Sequence, residues 1–280
     1  MVSGRESRGG VRLSGEVTVT FLIRFFIRIQ LKSRRLAATA LLGLFPVAVC
    51  LLLILIRSVL ENHDVSIHRL YPQVSFFLYL HFLLPILAVF VGSGIVGDEA
   101  GEQTLSYLTS RPIPKWKWYL AKFLAQLMIL GVVLLISLLL SYTLLHIPGG
   151  IRGWLEDLPN LATSLGVLAL GLAAYLSLFS LFGAAFRKPV PSALLFTFGW
   201  ENLVAYFPGN AKLLTLVHYL HSLFPTFFRA RAQGILGMLP FEFRLAGEWT
   251  ALIVLILITA GCLAGGAAIL TLREYRLDRD

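Results

Sequence analysis

Five stretches of the chain run for about twenty residues or more with scarcely a charge: Leu36 to Ile56, Phe76 to Val96, Tyr119 to Leu145, Leu161 to Phe186 and Trp249 to Leu272. At a rise of 1.5 Å per residue each helix reaches across the roughly 30 Å hydrocarbon layer of a bilayer. A weaker apolar run, Pro191 to Phe207, holds Glu201 and ends at Pro208-Gly209, so it reads as a short or broken span. The expected fold is all-α and polytopic, with six spans. Charged residues make up only 14% of the 280, against about 25% in soluble domains. That excludes a soluble enzyme, a secreted disulfide scaffold and a nucleic-acid-binding domain. Cys50 and Cys262 each lie alone inside an apolar run, without metal-ligand or redox spacing. The basic first 35 residues are too long for the charged region of a signal peptide, and an uncleaved start is expected.

Six spans place both termini on one side of the membrane. Seventeen Lys and Arg residues fall on that side, among them Arg24, Arg28, Lys32, Arg35, Arg111, Lys115, Lys117, Arg187 and Lys188, against seven on the other. The positive-inside rule then makes both termini cytoplasmic. Trp116, Trp118 and Tyr119 on the inner side, and Trp154 and Trp249 on the outer, stand where an interfacial aromatic belt belongs.

Residues 1–35 read as a cytoplasmic N-terminus with an interfacial helix, and residues 36–280 as one six-span domain. Over Val17 to Arg35, Arg24, Arg28, Lys32 and Arg35 form one helical stripe, with Leu22, Phe25, Phe26 and Ile29 largely off it. A helix of this kind lies along the membrane surface, as a plain anchor or as one that also touches a cytoplasmic partner. In the outer segment, Gly209 to Glu248, Leu213, Leu214, Leu216, Val217, Leu220, Leu223 and Phe224 recur at helical spacing. They predict short helices at or dipping into the outer leaflet.

Much chemistry is missing. The sequence has no Gly-Lys dipeptide and hence no phosphate-binding loop, and it lacks the HExxH and GxSxG signatures. The chain is therefore not expected to be an enzyme or to hold a cofactor. His218 and His221 sit at i, i+3, but no Asp, Glu or Cys nearby completes a metal site, so none is assigned. Ionisable residues at membrane depth are candidates for function. Lys122, near a boundary, can snorkel. Glu201, beside Asn202, either lines a translocation path or caps a broken helix. In the last span Ala260, Ala264 and Ala268, with Gly261 and Gly265, form a small-residue stripe suited to close helix packing within the subunit or across a dimer.

The segment between spans two and three is the most specific. Asp98, Glu99 and Glu102 are followed by Thr104, Leu105, Tyr107, Leu108, Arg111 and Pro112. The acids suit the first turns of a short helix, Pro112 stops it, and Leu105 and Leu108 make a small apolar face for a partner's groove. Glu99, Thr104, Tyr107, Leu108, Arg111, Pro112 and Lys122 match, one by one, a pattern of the ABC-2 family of transporter permeases, which this chain resembles. Gln103 departs from it, since many members have Gly there. The stretch from Trp200-Glu201 through Pro208 to His218-Tyr219-Leu220 is also similar to the permeases near the nitrous-oxide-reductase maturation type.

The resemblance implies a type V exporter-like fold in which residues 98–111 are a coupling helix. It implies a second permease copy or paralogue, and a separate ATPase subunit that binds ATP and Mg²⁺. It places the chain in a prokaryotic plasma membrane, in contact with lipid and with no nucleic acid. Spans rich in Leu, Phe and Ala suit hydrophobic cargo such as lipids, peptides or drugs. The rival readings are a membrane scaffold without a transport cycle, which needs no ATPase, and an ion-coupled carrier, which the scarcity of buried charge disfavours.

Overall fold

The computed structural model describes residues 19–59, 71–101, 114–147, 150–201, 204, 210–224 and 246–272, and these are almost entirely helical. Among the described residues five helices are long and apolar enough to cross a membrane. They are α2 (Arg34–Val59), α3, α4 (Lys115–His146), α6 (Leu158–Ala185) and α9 (Glu248–Leu272). Helix α3 has three consecutive parts: Tyr71–Val74, a π-helical stretch Ser75–Leu83, and Leu84–Gly101. The shorter helices are α1 (Val19–Leu31), α5 (Gly150–Glu156), α7 (Pro189–Leu195, continued by π-helical turns over Phe196–Glu201) and α8 (Leu216–Ser222).

Helices α3 and α6 form the centre. Their backbones meet at Gly183, where a Cβ would lie 2.5 Å from the Ser93 carbonyl oxygen, so only glycine allows this crossing. Leu80, Leu83, Leu84 and Leu87 of α3 and Leu168, Leu172, Leu176 and Phe179 of α6 fill the shared core. The polar groups inside are bonded to one another, because lipid offers no alternative partner. The Tyr79 hydroxyl is 2.8 Å from both Ser137 Oγ and Ser141 Oγ of α4, and Ser137 donates to the Gly43 carbonyl of α2. Ser75 donates to Ser164 at 3.1 Å, and Tyr119 meets Ser180 at 2.6 Å.

Helix directions fix the topology. Leu181 of α6 packs on Gly265 of α9, and Tyr119, four residues into α4, approaches Gly266. Thus α6 and α9 both end at the face of the bundle that carries Arg34, Lys115, Arg187 and Lys188. Between them the chain must return across the bundle. No helix of spanning length does this among the described residues. The expected span Pro191 to Phe207 is instead a helix over Pro189–Leu195 with π turns to Glu201; residues 202–203 and 205–209, Asn202 included, lie outside the described residues. The other half of the return is α8.

Two further expectations are corrected, and the small-residue stripe is located. The N-terminal helix stops at Leu31, because Ser33 N bonds back to Gln30 O in a turn; Arg24 and Arg28 stay on α1, Lys32 falls in the turn, and Arg35 belongs to α2. Asp98 and Glu99 do not open a new helix. They extend the last turns of α3, the end where the helix dipole is negative, since nothing in Val96-Gly97 breaks the helix. The small-residue stripe of α9 faces outward at Ala260, Gly261, Ala264 and Ala268, with no neighbour within 4 Å of a Cβ on Gly261; Gly265 touches α6, and the closest approach is taken by Gly266, one residue off the stripe.

Candidate functional site

The two halves of the return crossing meet at Glu201, which is 1% exposed. Tyr175, midway along α6, donates its hydroxyl to Glu201 Oε2 at 3.2 Å. The backbone amides of Leu216 and Val217 donate to Oε1 and Oε2, each at 3.1 Å. Those two amides are the first of α8 and would otherwise have no partner inside the helix. Thr215, at the N-cap, makes no side-chain bond to them; its hydroxyl donates to Lys212 O at 2.8 Å. Glu201 therefore caps a helix that begins fifteen residues later in the chain. Of the two roles open from the sequence the geometry takes the cap, with both carboxylate oxygens occupied and none of the residue facing solvent.

From this cap α8 runs away from the basic end of the bundle. A Cβ on Gly171 of α6 would lie 3.2 Å from Leu220, so α6 has no side chain where α8 crosses it. Leu216, Val217, Leu220 and Phe224 are buried inside the bundle, whereas Leu213 and Leu214 are exposed. The apolar residues of this segment are thus carried by two short helices, as expected: a 3-10 helix over Asn210–Leu214 with Leu213 and Leu214 exposed, and α8, which is seated within the protein.

The far end of α8 is held by histidines. His221 Nε2 lies 2.9 Å from His81 Nε2 of α3. In a π-helix residues five apart stack, and that brings His81 Nδ1 within 3.0 Å of the Phe76 carbonyl. A carbonyl only accepts, so Nδ1 carries the proton; in the neutral ring Nε2 then accepts from His221 Nε2–H. The rings of Phe76 and Phe77 pack against His81, and Phe76 also packs against His221 and Phe224. Ser222 Oγ completes the attachment by accepting from Ala246 N at 3.0 Å, one residue before Gly247 leads into α9. His218 and His221 do not converge on a common point: His221 engages α3, while His218 stacks beside Tyr219. Among the described residues no three His, Cys, Asp or Glu side chains group to hold a metal ion.

The basic end is the second functional region. A Cβ on Gly97 of α3 would lie 2.8 Å from Pro189, so the start of α7 rests on the helix that leads into residues 98–111. Lys122 does not simply reach for water. Its ammonium donates to the Ile95 carbonyl at 2.7 Å and lies 5.1 Å from the Trp118 ring. Trp118 in turn takes the edge of Phe26 from α1 at 6.2 Å. Contacts therefore link α1 to α4, α4 to α3 and α3 to α7 at the end of α3 that leads into residues 98–111. Asp98 and Glu99 stand at this end of α3, while Glu102, Thr104, Leu105, Tyr107, Leu108, Arg111 and Pro112 lie outside the described residues.

Sequence reading expects His81 to bond to a neighbouring helix but does not identify His221 as its partner, nor Ile95 as that of Lys122. Their partners are separated by 140 and 27 positions, beyond any periodicity. No curated protein matches the chain. Residues 30–200, more than half of the chain and everything from the end of α1 to Glu201's immediate neighbour, match the family described as ABC-2 family transporter protein. Five membrane-length helices among the described residues and this match agree: the chain belongs to the ABC-2 family of transporter membrane proteins.

Proposed function

We propose that this permease is the membrane subunit of an ATP-driven exporter, with ATP and Mg²⁺ bound by a separate ATPase subunit that docks on residues 98–111. It is not itself an enzyme. The observation that carries the reading is the contact set at the basic end. Helix α3 continues without interruption to Gly101, is bonded through Ile95 to Lys122, and supports Pro189 at the start of the broken crossing. A push on the coupling segment is thereby delivered to α7, whose far end carries Glu201 and, through it, α8. A rigid helix with bonded neighbours at both ends moves as a unit, which is how a small displacement at one site becomes a change of access at another.

In the same proposal the basic end is cytoplasmic and the membrane is a prokaryotic inner membrane. The two half-crossings count as one passage, which returns both termini to the cytoplasm, consistent with the distribution of Lys and Arg. A second permease copy or paralogue completes the translocation path. The outward-facing strip Ala260, Gly261, Ala264 and Ala268 is available for close packing against it. The similarity of the Trp200 to Leu220 region to nitrous-oxide-reductase maturation permeases supports membership of that subset.

The test is co-purification of the chain with a candidate ATPase encoded beside it, repeated with Leu105→Asp and Leu108→Asp together. Co-elution of the wild type and its loss in the double variant, with the variant still folded, is the expected result. If a folded wild-type chain retains no ATPase, the exporter reading gives way to that of a membrane scaffold.

A further inference from the structure

Helix α1 has more exposed surface than an anchor requires, and the surface is divided into strips. Leu22 and Phe26 face the protein, Phe26 against Trp118. At 100° per residue, Phe21, Phe25 and Ile29 form the adjoining strip, and they are 64%, 49% and 51% exposed. Arg24 and Arg28 form the next strip, also exposed. From Val17 to Leu60 the chain contains no Asp or Glu, while Lys32, Arg34 and Arg35 follow immediately and Lys115 and Lys117 open the neighbouring α4. Large aromatic groups left uncovered beside guanidinium groups, in a stretch of chain without a carboxylate, are poorly served by water. They fit a surface whose outer layer is anionic and whose interior is hydrocarbon.

We propose that α1 binds anionic phospholipid. Phe21, Phe25 and Ile29 enter the acyl layer, and Arg24 and Arg28 lie at the level of the phosphates, where a bidentate guanidinium fits a phosphate better than an ammonium does. The lipid shell at the basic end of the bundle is therefore enriched in acidic headgroups. Because α1 packs on Trp118, one turn from Lys122, headgroup charge is communicated to the residues that hold the end of α3. The proposal rests on the placement of the helix in a membrane and not on the ATPase reading.

The test uses the full chain with Trp154→Phe, Trp200→Phe and Trp249→Phe, which leaves Trp116 and Trp118, the tryptophans beside α1, as reporters. It is reconstituted in vesicles of mixed phosphatidylglycerol and phosphatidylcholine, with bromine on the chains of one lipid or the other. Quenching reports which lipid is local. Stronger quenching by brominated phosphatidylglycerol is expected, weakening with salt and falling severalfold in Arg24→Gln/Arg28→Gln, at about fivefold or less per charge removed. The variant Arg24→Lys/Arg28→Lys should retain most of the preference, which separates lost charge from lost folding. Equal quenching by the two lipids in the parent chain, or an unchanged preference in the folded glutamine variant, overturns the proposal. So does a glutamine variant that loses the ATPase subunit while keeping its lipid preference, since the strips would then belong to a protein partner.

Discussion

Replacing Glu201 by Gln separates a capping role from a path-lining one. The carboxylate accepts three hydrogen bonds, from Tyr175 and from the amides of Leu216 and Val217, and the residue is fully enclosed. Gln keeps one acceptor oxygen and points an NH₂ at a second donor, so one α8 amide loses its partner. A hydrogen bond to a charged group is worth about 1.5–3 kcal/mol, and an orphaned buried donor costs about 1–3 kcal/mol. The charge itself was costly to bury, which offsets part of the loss, and a net weakening of about 1.5–3 kcal/mol at the start of α8 follows. Since 1.4 kcal/mol is a factor of ten, the amides of Leu216–Ser222 should exchange about 10- to 150-fold faster in hydrogen-exchange mass spectrometry. The amides of α6 should not change, because its core with α3 does not involve Glu201. Glu201→Asp, one methylene shorter, should behave like Gln even though it keeps the charge. If exchange over Leu216–Ser222 stays within twofold of wild type in both variants, the carboxylate does not hold α8 and the capping argument is wrong.

Four other substitutions test the packing and the basic end. Gly183→Ala should remove most folded protein in detergent thermal-melt measurements, because its Cβ would meet backbone at Ser93; Gly166→Ala, with nothing within 4 Å, should leave the melt unchanged or raise it, alanine being better by up to about 1 kcal/mol in a helix interior. Tyr79→Phe removes a hydroxyl shared with Ser137 and Ser141, yet inter-helix hydrogen bonds in membranes average only about 0.6 kcal/mol, so a fall of a few degrees in Tm is expected and not unfolding. Lys122→Met keeps the stem but frees the Ile95 carbonyl, and exchange at the end of α3, through Gly101, should rise about tenfold while α6 is unaffected.

The spans were readable because length and apolarity alone decide them. Leu158–Ala185 and Glu248–Leu272 lie within a few residues of the ranges read from the runs, and no tertiary contact is needed to place either. The π-helical stretch of α3 was not readable. Apart from Ser75 and His81 the stretch Ser75–Leu83 is as apolar as its neighbours, and a five-residue register leaves no mark in a run that is hydrophobic on all sides. The stripe on α9 shows a different limit. Alanine and glycine at intervals of four say that a backbone can be approached, but not from which side, and the neighbour that came close was the Tyr119 ring at Gly266.

The broken crossing shows why a charged residue in a weak span is ambiguous until its partners are in place. Glu201 read alone is a carboxylate at membrane depth, which suits a translocation path or a gate. Its meaning changes once Leu216 and Val217 are seen to donate to it: the acid serves a helix that starts inside the protein, far from water, and a helix start without partners is costlier than a paired carboxylate. The same logic explains His81 and His221, each a poor fit to lipid and each completing the other. Helix α8, only seven residues long, has too little surface to hold itself in place by apolar contact alone. It is fixed at its first turn by Glu201 and at its last by His81 and by Ser222. Breaking either set of bonds should loosen α8 while α3 and α6, whose shared core involves neither, remain packed.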